Sequence, residues 1–192
     1  MKKIEWVYRE ILYEVMEEGK RFLKQSSLSK ICGVSIGNVN KALKPLENMN
    51  CVEKKPQGFV VIQPEKILVY WASLRNLQRD IVFETHVNKS VNEIEKELPP
   101  VLFTAYSAYK FRFKHVPSDY SEVIVYGDLE KIRERFGVGR GVPNLIVLKP
   151  DPHLLRFKRI PLAQLFVDLW NLNTWYANDF LKALEGKIGG LW

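Results

Sequence analysis

Ser27-Leu28-Ser29-Lys30-Ile31-Cys32-Gly33-Val34-Ser35-Ile36-Gly37-Asn38-Val39-Asn40-Lys41-Ala42-Leu43-Lys44-Pro45-Leu46-Glu47 is the stretch whose reading decides the fold. Gly33 falls where a short first helix must end, and glycine takes the positive φ of such an end without a Cβ penalty. Ser35 offers a side-chain oxygen to the unpaired N–H groups that open a second helix. In that second helix Val39, Leu43 and Leu46 recur at steps of four and three, with Ala42 beside them, so one stripe is apolar. The opposite face carries Gly37, Asn38, Asn40, Lys41 and Lys44, all small, amide or cationic. Pro45 removes a helical hydrogen bond and predicts a bend toward the helix's end.

Downstream, Val52 and then Phe59 to Ile62 read as two strands, with Pro56-Gln57-Gly58 as the turn signal between them. Lys54 and Lys55 stand beside that turn. A short helix, a tight turn, a second helix and a basic hairpin make a winged helix-turn-helix, whose second helix usually enters the DNA major groove. Asparagine pairs bidentately with adenine, and lysine suits guanine or phosphate. The candidate DNA-binding residues are therefore Ser35, Gly37, Asn38, Asn40, Lys41, Lys44, Lys54, Lys55 and Gln57. The implied partner is double-stranded DNA.

Some winged helices bind only protein, and charge separates the two cases. Between Gly19 and Gln63 lie eight basic residues (Lys20, Arg21, Lys24, Lys30, Lys41, Lys44, Lys54, Lys55) and two acids (Glu47, Glu53), a net +6 against +7 for the whole chain. Positive charge gathered on the proposed reading head is the electrostatic footprint of a DNA-binding unit.

The 192 residues, 46% hydrophobic and 27% charged, suit one or two globular domains with a sizeable core. Met1-Lys2-Lys3 opens as a signal peptide would, but Glu5, Arg9, Glu10 and Glu14 interrupt any apolar segment. A cytoplasmic protein with no membrane segment is expected. Two cysteines without close spacing, Cys32 and Cys51, and three scattered histidines give no metal-ligand pattern. Buried thiols are the expectation, and the spacing alone leaves a disulfide between them open.

Working outward, Ile4, Val7, Ile11 and Val15 give a first amphipathic helix running to about Glu18 and ended by Gly19. Pro64 opens a connecting helix over 64–79, lined by Ile67, Leu68, Trp71, Leu74 and Leu77. Its wide apolar face, with Trp71, suggests a homodimer. From residue 80 to 192, strands at Ile81 to Val87, within Val101 to Phe113, at Val123 to Tyr126 and at Asn144 to Leu148 alternate with helices at Val91 to Leu98 and Leu129 to Phe136. One long or two broken helices follow over Leu162 to Leu184. The fold class read from this pattern is α+β: a winged helix-turn-helix over 1–63, then a small mixed α/β domain.

An enzyme reading of the second half needs a phosphate loop and a strand-borne carboxylate pair. A nucleotidyltransferase site would show Gly-Ser at a helix start and two or three carboxylates for Mg²⁺. No Gly-Ser dipeptide is present, and Asp128 with Glu130 reads as a helix cap with a first-turn acid. Glu93, Glu95 and Glu97 read as a solvated helix face. Gly137-Val138-Gly139-Arg140-Gly141 follows a helix, lacks nucleotide-binding spacing and reads as a flexible loop. The sequence calls for no cofactor and no catalytic residue.

The C-terminal run Pro161-Leu162-Ala163-Gln164-Leu165-Phe166-Val167-Asp168-Leu169-Trp170-Asn171-Leu172, followed by Ala177 and Phe180 to Leu184, adds a family likeness. Together with Phe103-Thr104-Ala105-Tyr106-Ser107-Ala108-Tyr109 it resembles the C-terminal domain of AbiEi-like antitoxins. The resemblance covers roughly residues 27–62 and 100–185, and Asn173 to Tyr176 departs from it. It implies an operator-binding transcriptional regulator, and in some members neutralisation of a nucleotidyltransferase-like toxin. The alternatives are a nucleotidyltransferase-like enzyme with a nucleic-acid-targeting winged helix, and a pair of protein-interaction modules.

Overall fold

The computed structural model describes residues 1–189. The chain divides into two compact units. The first holds residues 1–75, Pro161–Val167 and the chain from Glu185; the second holds Asn76–Ile160 and Asp168–Leu184. The C-terminal segment, read from sequence as part of one second domain, is thus shared between the two.

In the first unit the order is α1 (Lys3–Met16), β1 (Phe22–Leu23), α2 (Gln25–Cys32), α3 (Ile36–Asn48), β2 (Val52–Lys55), β3 (Gly58–Val61) and α4 (Pro64–Leu74). The strands form an antiparallel sheet in the order β1-β3-β2. Two consecutive helices, α2 and α3, are thus followed directly by the β2–β3 hairpin. The core gathers the apolar stripes: Val7, Ile11 and Leu12 of α1, Leu28 of α2, Val39, Leu43 and Leu46 of α3, Phe59 and Val61 of the wing, and Ile67 and Trp71 of α4 are all buried. Cys32 and Cys51 are buried thiols, and burial pushes the Cys51 thiol up from its ordinary value.

Four readings change here. The two-residue strand β1 was not foreseen; it pairs Phe22 with Val60 and Leu23 with Phe59. Gly58 belongs to β3 and not to the turn, which is only Pro56-Gln57. A Cβ at Gly58 would stand 2.2 Å from the Leu23 carbonyl oxygen, so close approach of β1 is what requires glycine. The connecting helix stops at Leu74, and Leu77 lies in a separate 3-10 turn, Leu77–Asp80. Trp71, the basis for expecting a dimer through this helix, is wholly buried, and its Nε1 donates to Glu5 Oε2 at 3.2 Å. Val69 and Leu74 are the exposed apolar residues of α4.

The first helix also buries charge that its apolar period conceals. Glu5, Arg9 and Glu10 lie inside. Glu5 answers the Trp71 indole and the Lys2 backbone N–H, while Arg9 Nε donates to buried Gln164 Oε1 at 2.8 Å. Buried charges need such partners. Gln164 belongs to α8 (Leu162–Trp170), whose first residues complete this unit.

The second unit is built on β4 (Ile81–Thr85), β5 (Leu102–Phe103), β6 (Val123–Tyr126) and β7 (Leu145–Leu148), in the order β4-β7-β6-β5. The central β6–β7 pair is parallel, and each edge strand is antiparallel to its neighbour. Helices α5 (Val91–Glu97), α6 (Ala105–Phe113) and α7 (Leu129–Phe136), with the Ala177–Leu184 part of α9 (Ala177–Ile188), belong to this unit. Ile94 and Ile132 pack with Val123, Val125, Leu145 and Val147. Alternation along β6 gives Tyr126 to the other face, where its hydroxyl and that of Thr104 both donate at 2.8 Å to the buried Asp168 carboxylate. Tyr106, Tyr176, Tyr120 and Phe180 form an aromatic cluster, edge-to-face in the Tyr106–Tyr176, Tyr106–Phe180 and Tyr120–Phe180 pairs. The architecture is mixed α+β.

Candidate nucleic-acid interface

The turn between α2 and α3 takes the form its residues dictate. Gly33 is left-handed, with φ 62° and ψ 37°. Its N–H and that of Val34 close on the carbonyls of Lys30 and Ser29, and Ser29 Oγ donates to the Val34 carbonyl at 2.6 Å. A chain that turns this tightly fixes the direction of α3. Ser35 then caps α3: its Oγ accepts the Asn38 backbone N–H at 3.2 Å. Pro45 lies inside α3, and the helix continues past it to Asn48.

The buried and solvent faces of α3 separate cleanly. Val39, Ala42, Leu43 and Leu46 are buried, whereas Gly37, Asn40, Lys41 and Lys44 are exposed and Asn38 is half-buried. Ser35 is exposed at the helix start, and Lys54, Lys55 and Gln57 are exposed on the wing. All nine candidate residues therefore belong to the second helix, its cap or the hairpin, and none is in the core.

Their electrostatic states differ. Lys41 and Lys44 reach no carboxylate among the described residues. On the wing, Lys54 Nζ lies 3.0 Å from the Glu47 carboxylate of α3, and Lys55 pairs with Glu53. These are surface pairs, each worth about 0–1 kcal/mol, which a phosphate can replace at little cost. Arg21 leans on the wing, its Nη1 donating to the Val61 carbonyl at 3.3 Å.

Sequence reasoning passed over Ile36. It is the first residue of α3 and 52% exposed, which is unusual for isoleucine beside a polar helix face. A methyl-bearing side chain there is suited to a thymine methyl group. Its position between the Ser35 cap and Gly37 was the available signal. Phe22 on β1 is also exposed, at 46%, and it followed from a strand the sequence did not announce.

The second unit's candidate groups are placed as follows. Asp128 Oδ1 accepts the Glu130 backbone N–H at 3.0 Å and caps α7. Glu95 is not solvated: it takes Lys110 Nζ and the Tyr120 hydroxyl, with its side chain 4% exposed. Glu93 closes a capping box with Ser90, and Glu97 pairs with Lys89 and Arg135. The glycine-rich loop is not loose. Gly139 N–H donates to Thr85 Oγ1 at 2.8 Å, and a Cβ at Gly139 would meet the His86 carbonyl oxygen at 1.9 Å. Among the described residues no three of His, Cys, Asp and Glu gather as a metal site, and no helix is long and apolar enough to cross a membrane.

Comparison of the chain with protein-family models, with curated proteins and with solved structures gives no match.

Proposed function

We propose that the chain is a sequence-specific regulator of transcription that binds double-stranded DNA through its first unit, with α3 in the major groove and the wing on the adjacent backbone. The observation that carries this reading is the solvent face of α3. Asn40, Lys41 and Lys44 are exposed together, opposite Val39, Leu43 and Leu46, and the two lysines have no carboxylate partner among the described residues. Unpaired cations beside an amide are what phosphate positioning and base reading require. Ser35 and Gly37 let the helix start approach closely, Asn38 and Asn40 read base edges, and Lys44, Lys54, Lys55 and Gln57 hold the backbone.

The second unit has a non-catalytic role in this account, as the dimerisation, sensing or toxin-binding part of an antitoxin-type repressor. The helix cap made by Asp128 supports that assignment, because its Oδ1 is engaged by backbone N–H groups of α7.

The test is selection of duplexes from a random pool by the full chain, followed by titration of a Lys41→Ala/Lys44→Ala variant on the enriched sequence. Enrichment of a common motif, with the double variant weakened on every duplex and its log K against log salt slope reduced by about 1–2 units, is the expected result. A pool that never enriches, bound no better by the parent than by the variant, contradicts it.

A further inference from the structure

Two stretches outside the helix-turn-helix interleave cations with aromatic rings. They are Lys110-Phe111-Arg112-Phe113-Lys114, which ends α6, and Arg156-Phe157-Lys158-Arg159, which precedes Ile160. The second unit brings them together around a cavity of about 400 Å³, to which Phe111, Arg112 and Lys114 of the first stretch and Lys158 and Arg159 of the second contribute. Arg112 Nη1 donates to the Ile160 carbonyl at 3.1 Å and ties one wall to the other. We propose that this cavity is a binding site for a mononucleotide, a ligand with one planar ring and one phosphate.

Its chemistry is divided in the way such a ligand needs. The walls are apolar, from Val101, Leu102, Ala108 and Ile160, and the charged side chains lining it are all cations: Arg112, Lys114, Lys158 and Arg159. Ala108, Phe111 and Arg112 sit at i, i+3 and i+4 and so share one face of α6. The small Ala108 side chain leaves room beside the Phe111 ring. That ring is 40% exposed and held edge-to-face against Phe103, with centroids 4.9 Å apart. A fixed, partly open aromatic ring is a stacking platform for a base.

Lys114 adds an independent sign. It ends α6 in the left-handed region, φ 63°, where glycine is the usual residue. A lysine there places a cation at the rim. Lys114 and Lys158 are both exposed and reach no carboxylate among the described residues. The volume lies within the roughly 300–1,000 Å³ of small-ligand sites. A single-stranded polymer would call for an extended row of cations and rings instead of one pocket. The edge strand β5 contributes Leu102 and Phe103, which sets the ring cluster at the border of the sheet.

The experiment is calorimetric titration of the full chain with the four ribonucleoside monophosphates, with the four matching ribonucleosides, with inorganic phosphate and with a single-stranded oligonucleotide. At least one monophosphate should bind saturably, with the matching nucleoside and inorganic phosphate each about tenfold weaker or more. A Lys114→Ala/Lys158→Ala variant should lose about tenfold or more for the monophosphate and little for the nucleoside. Phe111→Leu, which keeps the apolar contact to Phe103 and removes the ring, should weaken monophosphate and nucleoside alike and leave phosphate unchanged. Parent-like thermal unfolding of both variants checks that they fold. The proposal is overturned if no monophosphate binds saturably, or if inorganic phosphate binds as tightly as the monophosphate. It is also overturned if neither variant changes binding, or if the oligonucleotide binds far more tightly than its monomer, which would make the groove a strand track.

Discussion

Lys54 Nζ stands 3.0 Å from the Glu47 carboxylate, which ties the first strand of the wing to the last turn of α3. Lys54 belongs to the proposed DNA face, so Glu47 and a DNA phosphate compete for the same lysine. Neutralising Lys54 and Lys55 together should weaken binding to all duplexes alike and flatten the log K against log salt slope by about 1–2 units. Glu47→Gln should act in the opposite sense, raising affinity at low salt without changing sequence preference. Anisotropy titrations over a salt series measure both. A double-lysine variant with the parent's slope would exclude a phosphate role for the wing.

Two glycines separate backbone strain from steric exclusion. At Gly33 a Cβ would meet nothing within 4 Å, so Gly33→Ala should cost only the left-handed penalty, about 1–2 kcal/mol. At Gly58 a Cβ would strike the Leu23 carbonyl, so Gly58→Ala must part β1 from β3 and should cost more, about 1–3 kcal/mol from overpacking added to lost pairing. Urea unfolding ranks the two. The reverse order would mean that β1 yields easily and does not fix the wing.

In the second unit, burial raises the Glu122 carboxyl above its ordinary value, and the Tyr176 hydroxyl donates to it. A carboxyl whose folded-state pKa is raised favours the folded state at low pH and loses that contribution as pH rises through the folded value. Glu122→Gln retains an acceptor for Tyr176 and removes the charge. The variant should therefore match or exceed the parent's melting temperature near neutral pH, and the difference should shrink as pH falls toward the ordinary carboxylate range. Melting curves across that range check it. A variant less stable than the parent at neutral pH, with the gap closing in acid, would contradict the sign.

What could be read from the sequence follows from range. Gly33, Ser35 and the Val39, Leu43 and Leu46 stripe act within a few residues of one another, and the structure shows the cap, the turn and the buried face as expected. The α+β class was legible for the same reason, through period and punctuation. Strand β1 was not, because two residues carry no period and Phe22-Leu23 becomes a strand only by pairing with Val60 and Phe59. The burial of Glu5 and Arg9 was not legible, because their partners, Trp71 and Gln164, lie 66 and 155 residues away. Thr85, 54 residues from Gly139, anchors a glycine loop that looked free by composition. The polar face of α3 was found from spacing, while exposed Ile36 was missed because isoleucine is normally counted toward the core.

The most direct measurement is a comparison of the duplex enriched by selection with the same duplex carrying single base changes, for the parent and for Asn40→Ala. Asn40 is fully on the solvent face of α3, whereas Asn38 is half-buried beside the Ser35 cap, so Asn40 is the more telling of the two. The account predicts that Asn40→Ala loses about 1–3 kcal/mol on the enriched duplex and ceases to distinguish one adenine position from its substitutes, while other positions still discriminate. Parent affinity that does not vary with base sequence, or an Asn40→Ala variant with the parent's affinity and preference, would contradict sequence-specific recognition through α3.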